Sequence, residues 1–244
     1  DRLGLATSAD TFNPVIVDFY RAVGYLPDAI LNYLVLLGWS YDDKTEDFTR
    51  QQMIDLFSLE RVNKAAASFD AKKLSAFQER RMQGLPVAEK VGLVLPYLRR
   101  AGLVADPVPD AVRATVARVV TEAGPRLVVA GDILAYDFFF IPDDRLAYDE
   151  KALDKHLRKP PSPALLPRLR GVIAAAEPFD AAMLKAAVEA FAAAEGVKPG
   201  PLSQVLRVAT TGKEIGFGTY ETLAILGRER CLARIDRAGT HALV

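Results

Sequence analysis

The sequence predicts an all-α protein. Three observations carry that reading: apolar residues recur at helical spacing through most of the chain, strict alternation is scarce, and glycine or proline interrupts the pattern at helix-length intervals. Half of the 244 residues are hydrophobic and a quarter are charged, far from the composition of disordered chains. A chain of this size buries roughly 70–75 % of its unfolded surface, enough for a self-sufficient core.

Pro27 opens a helix, where its missing amide costs nothing, and Ile30, Leu31, Leu34 and Leu37 share one face. Gly38 is expected to close it in a left-handed conformation. Thr49 with Gln52 three residues on is a capping-box start for a short helix through Phe57. Asp70 accepts the orphan amides of a helix running to about Gly84. Pro86 precedes another, lined by Val87, Val91, Val94, Leu95 and Leu98, kinked at Pro96 and ending near Gly102. The run Asp106-Pro107-Val108-Pro109 breaks the pattern and reads as a linker, dividing the chain into helical domains at 1–104 and 105–244. Beyond it, helices are expected at about 110–123, 130–140, 149–158, 163–176, 181–195, 201–211, 219–226 and 228–238, with Asp180 as a cap.

Equal numbers of basic and acidic residues, 31 each, conceal an uneven distribution. Residues 71–100 hold seven basic and two acidic side chains, 105–150 four and nine, 151–175 six and one, and 198–237 seven and four. Basic surfaces separated by an acidic one suit a polyanion held at several places; ordinary solvated helix faces produce the same counts. No apolar run reaches the roughly 18 residues of a membrane span. The chain starts at Asp1 without a signal-peptide pattern, which suggests a piece of something longer.

Reaction machinery is sparse. There is no phosphate loop, no dinucleotide fingerprint, no Ser-His-Asp grouping and no pair of histidines four apart, so no catalytic residue and no metal site are expected. Cys231 reads as a small buried hydrophobe, and a lone cysteine fits a reducing, cytoplasmic setting. His156 is expected to face solvent, and His241 to lie in a frayed tail. Asp42-Asp43 and Asp143-Asp144 read as turn or cap residues.

The stretch Gly24-Tyr25-Leu26-Pro27-Asp28-Ala29-Ile30-Leu31-Asn32-Tyr33-Leu34, continuing to Leu37-Gly38-Trp39-Ser40, closely resembles bacterial glutamyl-tRNA synthetases. Phe57-Ser58-Leu59-Glu60-Arg61-Val62 and Phe69-Asp70-Ala71-Lys72-Lys73-Leu74 resemble that family's next landmarks. Gly196-Val197-Lys198, Leu206-Arg207-Val208-Ala209, Thr211-Gly212 and Leu226-Gly227-Arg228-Glu229-Arg230 resemble its anticodon-binding segment. The likeness covers the tRNA-binding half alone, since the HIGH-like and KMSKS-like motifs of the family's catalytic domain are missing.

The resemblance implies a stem-contact helical domain followed by an all-helical anticodon-binding cage, with tRNA(Glu) and the N-terminal catalytic domain of the parent protein as partners and no membrane. It implies ATP and magnesium for the parent enzyme and no cofactor for this segment. It aligns Arg126 with a family arginine that reads the third anticodon base, a task suited to a planar fork of donors that pairs with or stacks on an exposed base. It places Arg207, Gly216, Phe217, Thr219 and Tyr220 around the splayed anticodon, with Phe217 and Tyr220 as stacking surfaces. Lys72, Lys73, Arg80 and Arg81 are expected on the stem backbone. A free-standing helical module that binds a protein or another RNA is the alternative.

Overall fold

Helix-forming signals become twelve α-helices in the computed structural model, which describes residues 17–63 and 67–242. Among the described residues there is no strand, only an isolated antiparallel bridge between Trp39 and Val62. The connector at residues 1–15 lies outside them. Contacts divide the chain into two compact units, residues 1–135 and 136–244.

The first unit contains α1 (Val17–Val23), α2 (Pro27–Leu36), α3 (Arg50–Leu56), α4 (Ala71–Gly84), α5 (Val87–Arg100) and α6 (Asp110–Ala123). The caps match the sequence. Thr49 and Gln52 form both halves of a capping box, and Asp70 accepts from the amides of Lys72 and Lys73. α5 runs on through Pro96. The proline-rich segment at 106–109 is a loop as expected, but the unit boundary falls after Ala135. The reason is packing: α6 lies against α5 and the turn after it against α4, so the loop joins helices of one unit.

α2 departs from its expected face. Leu31 and Leu34 are 41 % and 49 % exposed, while Ala29, Asn32 and Tyr33 are buried. Asn32 occupies the inward stripe because its amide is consumed there, donating to the Glu46 carbonyl at 2.6 Å and accepting the Phe48 amide at 2.6 Å. Tyr20, Tyr33, Leu74 and Phe77 form one core cluster, and Trp39, Phe48 and Met53 a second. Each ring removed from water contributes about 1.5–3 kcal/mol. Gly38 is not left-handed: α2 closes with Leu37 right-handed and its amide on the Leu34 carbonyl.

The second unit contains α7 (Glu150–His156), α8 (Ser162–Ala175), α9 (Ala181–Ala194), α10 (Pro199–Thr211), α11 (Thr219–Leu226) and α12 (Arg228–Ala242). Asp180 caps α9 as expected, accepting from the Met183 amide at 2.8 Å. The expected helix at 130–140 is instead a 3-10 run, Ala130–Phe139, broken at Tyr136 (φ −104°, ψ 26°). α12 contacts α7, α8, α10 and α11. It extends to Ala242, so His241 is not frayed: it packs on the Tyr148 ring at 5.0 Å.

α12 also carries three arginines at i, i+4 and i+7 that face inward. Arg234 is fully buried, donating to Asp143 at 2.6 Å, the Thr210 carbonyl at 2.6 Å and the Phe138 carbonyl at 2.8 Å. Arg230 reaches Asp143, Phe139 and Ile141, and Arg237 reaches the carbonyls of Asp143 and Leu146. Together they satisfy the backbone of an irregular segment that cannot satisfy itself. Asp143 is therefore the anion of a buried network, and not the simple turn residue expected. Burial pushes its carboxyl up, but hydrogen bonds and charge from Arg230 and Arg234 outweigh that and hold it below the ordinary carboxylate value.

Candidate nucleic-acid interface

At the end of α6, Gly124 takes φ +52°, a left-handed backbone, and the chain turns sharply into a single 3-10 turn, Gly124–Arg126. The turn is held from inside. Leu127 is 1 % exposed, and Gln83 of α4 donates to the carbonyls of Gly124 and Leu127 at 3.2 and 3.3 Å. Buried Gln78 donates to the Val128 carbonyl at 2.7 Å while accepting the Leu26 amide at 2.8 Å. Asp132 accepts the amides of Val128 and Val129 at 2.9 and 2.8 Å. Its carboxyl is pushed up by burial, against the lowering effect of those two bonds. With the turn's backbone fixed, Arg126 remains exposed on a rigid base. That is the arrangement for presenting a fork of donors to something in solution.

The four α4 cations differ from one another. Lys72 is exposed. Lys73 pairs with Glu46 at 2.7 Å and Arg80 with Asp47 at 3.1 Å, each pair about half exposed and therefore worth about 0–1 kcal/mol. Arg80 also lies over the Phe77 ring at 4.6 Å. Arg81 turns inward, donating to the Phe48 carbonyl and to Asn32 at 3.3 Å. Its half-buried guanidinium ties segment 46–48 to α4, so Arg81 is a packing anchor and not an open phosphate contact.

In the second unit, Arg207, Gly216, Phe217, Thr219 and Tyr220 converge where α10 and α11 join. Arg207 Nη1 donates to the Phe217 carbonyl at 2.6 Å, and a Cβ on Gly216 would lie 2.9 Å from that same nitrogen. Phe217 is not the expected stacking surface. Its ring is 3 % exposed, stacked on Phe139 at 5.7 Å and against Tyr136 at 5.3 Å, so both faces belong to the core. Thr219 is buried as well, with its hydroxyl buried and unpartnered. Tyr220 is half-buried, and burial pushes its hydroxyl up, against the lowering effect of Ser203. The exposed feature of the loop is Ile215, 86 % accessible, which sequence reasoning passed over. Its signal was a lone aliphatic residue among lysine, glutamate and glycine.

Several further basic residues are committed to ion pairs. Arg168 pairs with Glu195, Arg170 with Asp236 at 2.6 Å, Arg158 with Glu150 and Asp154, and Arg228 with Glu177. The charge-rich stretches at 151–175 and 198–237 are thus mostly internal ion pairing. His156 does not face solvent: its side chain is 16 % exposed and meets Glu214. Cys231 is fully buried, donating to the Leu223 carbonyl at 3.4 Å, and burial pushes its thiol up to about 12.

An all-helical fold that holds an exposed arginine on a turn fixed by internal hydrogen bonds has the form of a binding domain. The family comparison agrees: the family described as "Anticodon binding domain" matches residues 89–239, and the chain belongs to it. "tRNA synthetases class I (E and Q), catalytic domain" matches residues 11–76. The particular relatives are glutamate–tRNA ligases. The ligase of Moorella thermoacetica is 37 % identical over 223 residues, covering 91 % of this chain and 45 % of the relative. That of Rhodopseudomonas palustris is 37 % identical over 222 residues, covering 90 % and 46 %. A glutamate tRNA ligase structure from Elizabethkingia meningosepticum, in complex with its amino acid, matches with a TM-score of 0.75 at 27 % identity, over 91 % of this chain and 42 % of that one. The synthetase from Elizabethkingia anophelis matches at 0.71. The chain spans about 45 % of the length of the curated relatives it matches.

Proposed function

We propose that this chain is the tRNA-recognition portion of a glutamate–tRNA ligase, holding tRNA(Glu) by its stem and anticodon in the cytoplasm. The observation that supports this best is Arg126: an exposed guanidinium on a turn fixed by Gln78, Gln83 and Asp132, within the anticodon-binding match. Unpaired anticodon bases expose their edges and faces, which such a group can pair with or stack on. Lys72 and the solvent-screened Lys73 and Arg80 supply the stem contacts, because a phosphate competes readily for cations held in weak surface pairs.

The parent reaction is ATP-dependent activation of glutamate followed by transfer to the terminal ribose of its tRNA. ATP and magnesium belong, on this reading, to the catalytic domain of the parent protein. Among the described residues, no group of three or more His, Cys, Asp or Glu is clustered to hold a metal ion. Among them, too, no helix is long and apolar enough to cross a membrane.

Filter binding of transcribed glutamate tRNA across a salt series tests the reading. The expected result is a steep loss of affinity with salt together with dependence on the anticodon. Salt-insensitive or absent binding contradicts it and returns the free-standing protein-docking module to consideration.

A further inference from the structure

Of the twelve large hydrophobic side chains that stand exposed among the described residues, seven fall within the stretch from Leu31 to Val62, and they share one surface. Because Asn32 and Tyr33 turn inward, Leu31 and Leu34, three positions apart, point to the outside of α2. That helix is therefore apolar on two faces and covered on one, the pattern of an element with a further partner. Between α2 and α3 opens a cleft of about 320 Å³ lined by Leu31, Val35, Arg50, Met53, Ile54 and Phe57, with Ile54 66 % exposed. Phe57 meets the Trp39 ring at 5.8 Å, and the Trp39 backbone bridges to Val62. Leu59, in the 3-10 turn Leu59–Arg61, is 76 % exposed.

The chemistry of this face suits a protein surface and not RNA. Residues 28–62 hold seven acidic and three basic side chains, a balance that disfavours a polyanion. Two of the three cations are engaged: Arg50 pairs with Asp28 at 2.5 Å, and Arg61 donates to the Tyr41 carbonyl at 2.6 Å while lying over the Tyr41 ring at 5.0 Å. An apolar centre edged by such polar groups is the make-up of an interface between folded proteins. The whole face lies within residues 11–76, the stretch that the catalytic-domain family matches. The match to the Moorella thermoacetica ligase takes up 45 % of that protein, so more than half of its length lies outside the match.

We propose that this face of α2 and α3 is the seat on which the rest of the parent ligase's catalytic domain docks, burying Leu31, Leu34, Ile54, Phe57 and Leu59. This rests on the ligase reading above and adds to it the surface that joins the recognition portion to the reaction centre.

The test compares this chain with the complete parent ligase, each carrying Leu31→Cys, Ile54→Cys, Leu59→Cys or, as a reference in the second unit, Ile215→Cys. Reaction with a maleimide is followed by mass spectrometry on the peptide that bears the new thiol, with Cys231 fully buried and silent. In the chain alone all four are expected to react fast. In the complete ligase the first three are expected to slow at least about tenfold, as water-excluding contacts close over them, while Ile215→Cys keeps its rate. Ile54→Lys gives a second reading: the chain's own melting temperature is expected to stay unchanged and that of the complete ligase to fall by several degrees, because docking then buries an unpaired charge.

Equal labelling rates in the two proteins overturn the proposal, and the ligase reading stands so long as the complete protein charges glutamate tRNA. Slow labelling of the isolated chain that speeds up on dilution assigns the face to a second copy, and protection of the isolated chain by added glutamate tRNA assigns it to RNA; either overturns the proposal. So does Ile54→Lys if it lowers the melting temperature of the chain itself, since Ile54 then belongs to the chain's own core, or if it leaves the complete ligase unaffected. A complete protein that fails to charge glutamate tRNA overturns the ligase reading and the proposal with it.

Discussion

Arginine does two opposite jobs in this chain, and burial separates them. Arg234 is sealed in the core with its donors on Asp143 and on backbone carbonyls, so removing it strips the Thr210 and Phe138 carbonyls of that donor and leaves Asp143 to Arg230 alone. Arg234→Met is expected to cost about 3–5 kcal/mol in denaturant unfolding. Asp143 makes the same network sensitive to acid. Its carboxyl is held below the usual value, so its contribution is full above about pH 4, the unfolded carboxylate value, and is lost as pH falls through the lower native one. Thermal melts of wild type and Asp143→Asn are expected to differ most near neutral pH and to converge in acid. None of this was legible in the sequence, where Arg230, Arg234 and Arg237 look like cations on a charged helix. Their partners are backbone groups about 90 positions away in an irregular segment, which no local pattern encodes.

Elements were legible where the physics is local. Pro27, the Thr49 and Gln52 box, Asp70 and Asp180 each start a helix within a residue or two of the expected place, because a cap bonds to amides two or three positions on. Faces and irregular turns were harder. α2 buries Asn32 in place of Leu31 because a loop 14–16 residues later uses the amide, and residues 130–139 wind as a 3-10 run despite their apolar spacing. Phe217 was expected outside for the same reason: its partners Phe139 and Tyr136 come from that 3-10 run. Gly212 marks the opposite case, a residue whose type alone signals its backbone. Gly212→Ala combines a left-handed backbone with a 2.0 Å approach to the Ala147 carbonyl, and a loss of at least about 2 kcal/mol is expected in chemical denaturation.

For the molecule as a whole, all-helical character and family resemblance were both evident from the residues, whereas the division into units was not. Prolines at 107 and 109 signal a break in helix, yet a break in helix is a domain boundary only if few contacts cross it, and α5 and α6 pack together across this one. The recognition account consequently places Arg126 in the first unit and the Arg207 to Tyr220 cluster in the second, each held by its own internal bonds. Neutral net charge, with basic side chains such as Arg158, Arg168 and Arg170 held in internal ion pairs, favours an account in which RNA affinity comes from particular exposed groups and not from a broad cationic surface.

The most direct measurement is the affinity of the chain for glutamate tRNA and for glutamine tRNA at one salt concentration, before and after Arg126→Ala. The account predicts an unchanged melting temperature, a loss of roughly 1–3 kcal/mol for glutamate tRNA and a collapse of the preference between the two. An affinity ratio that survives the substitution intact would contradict it.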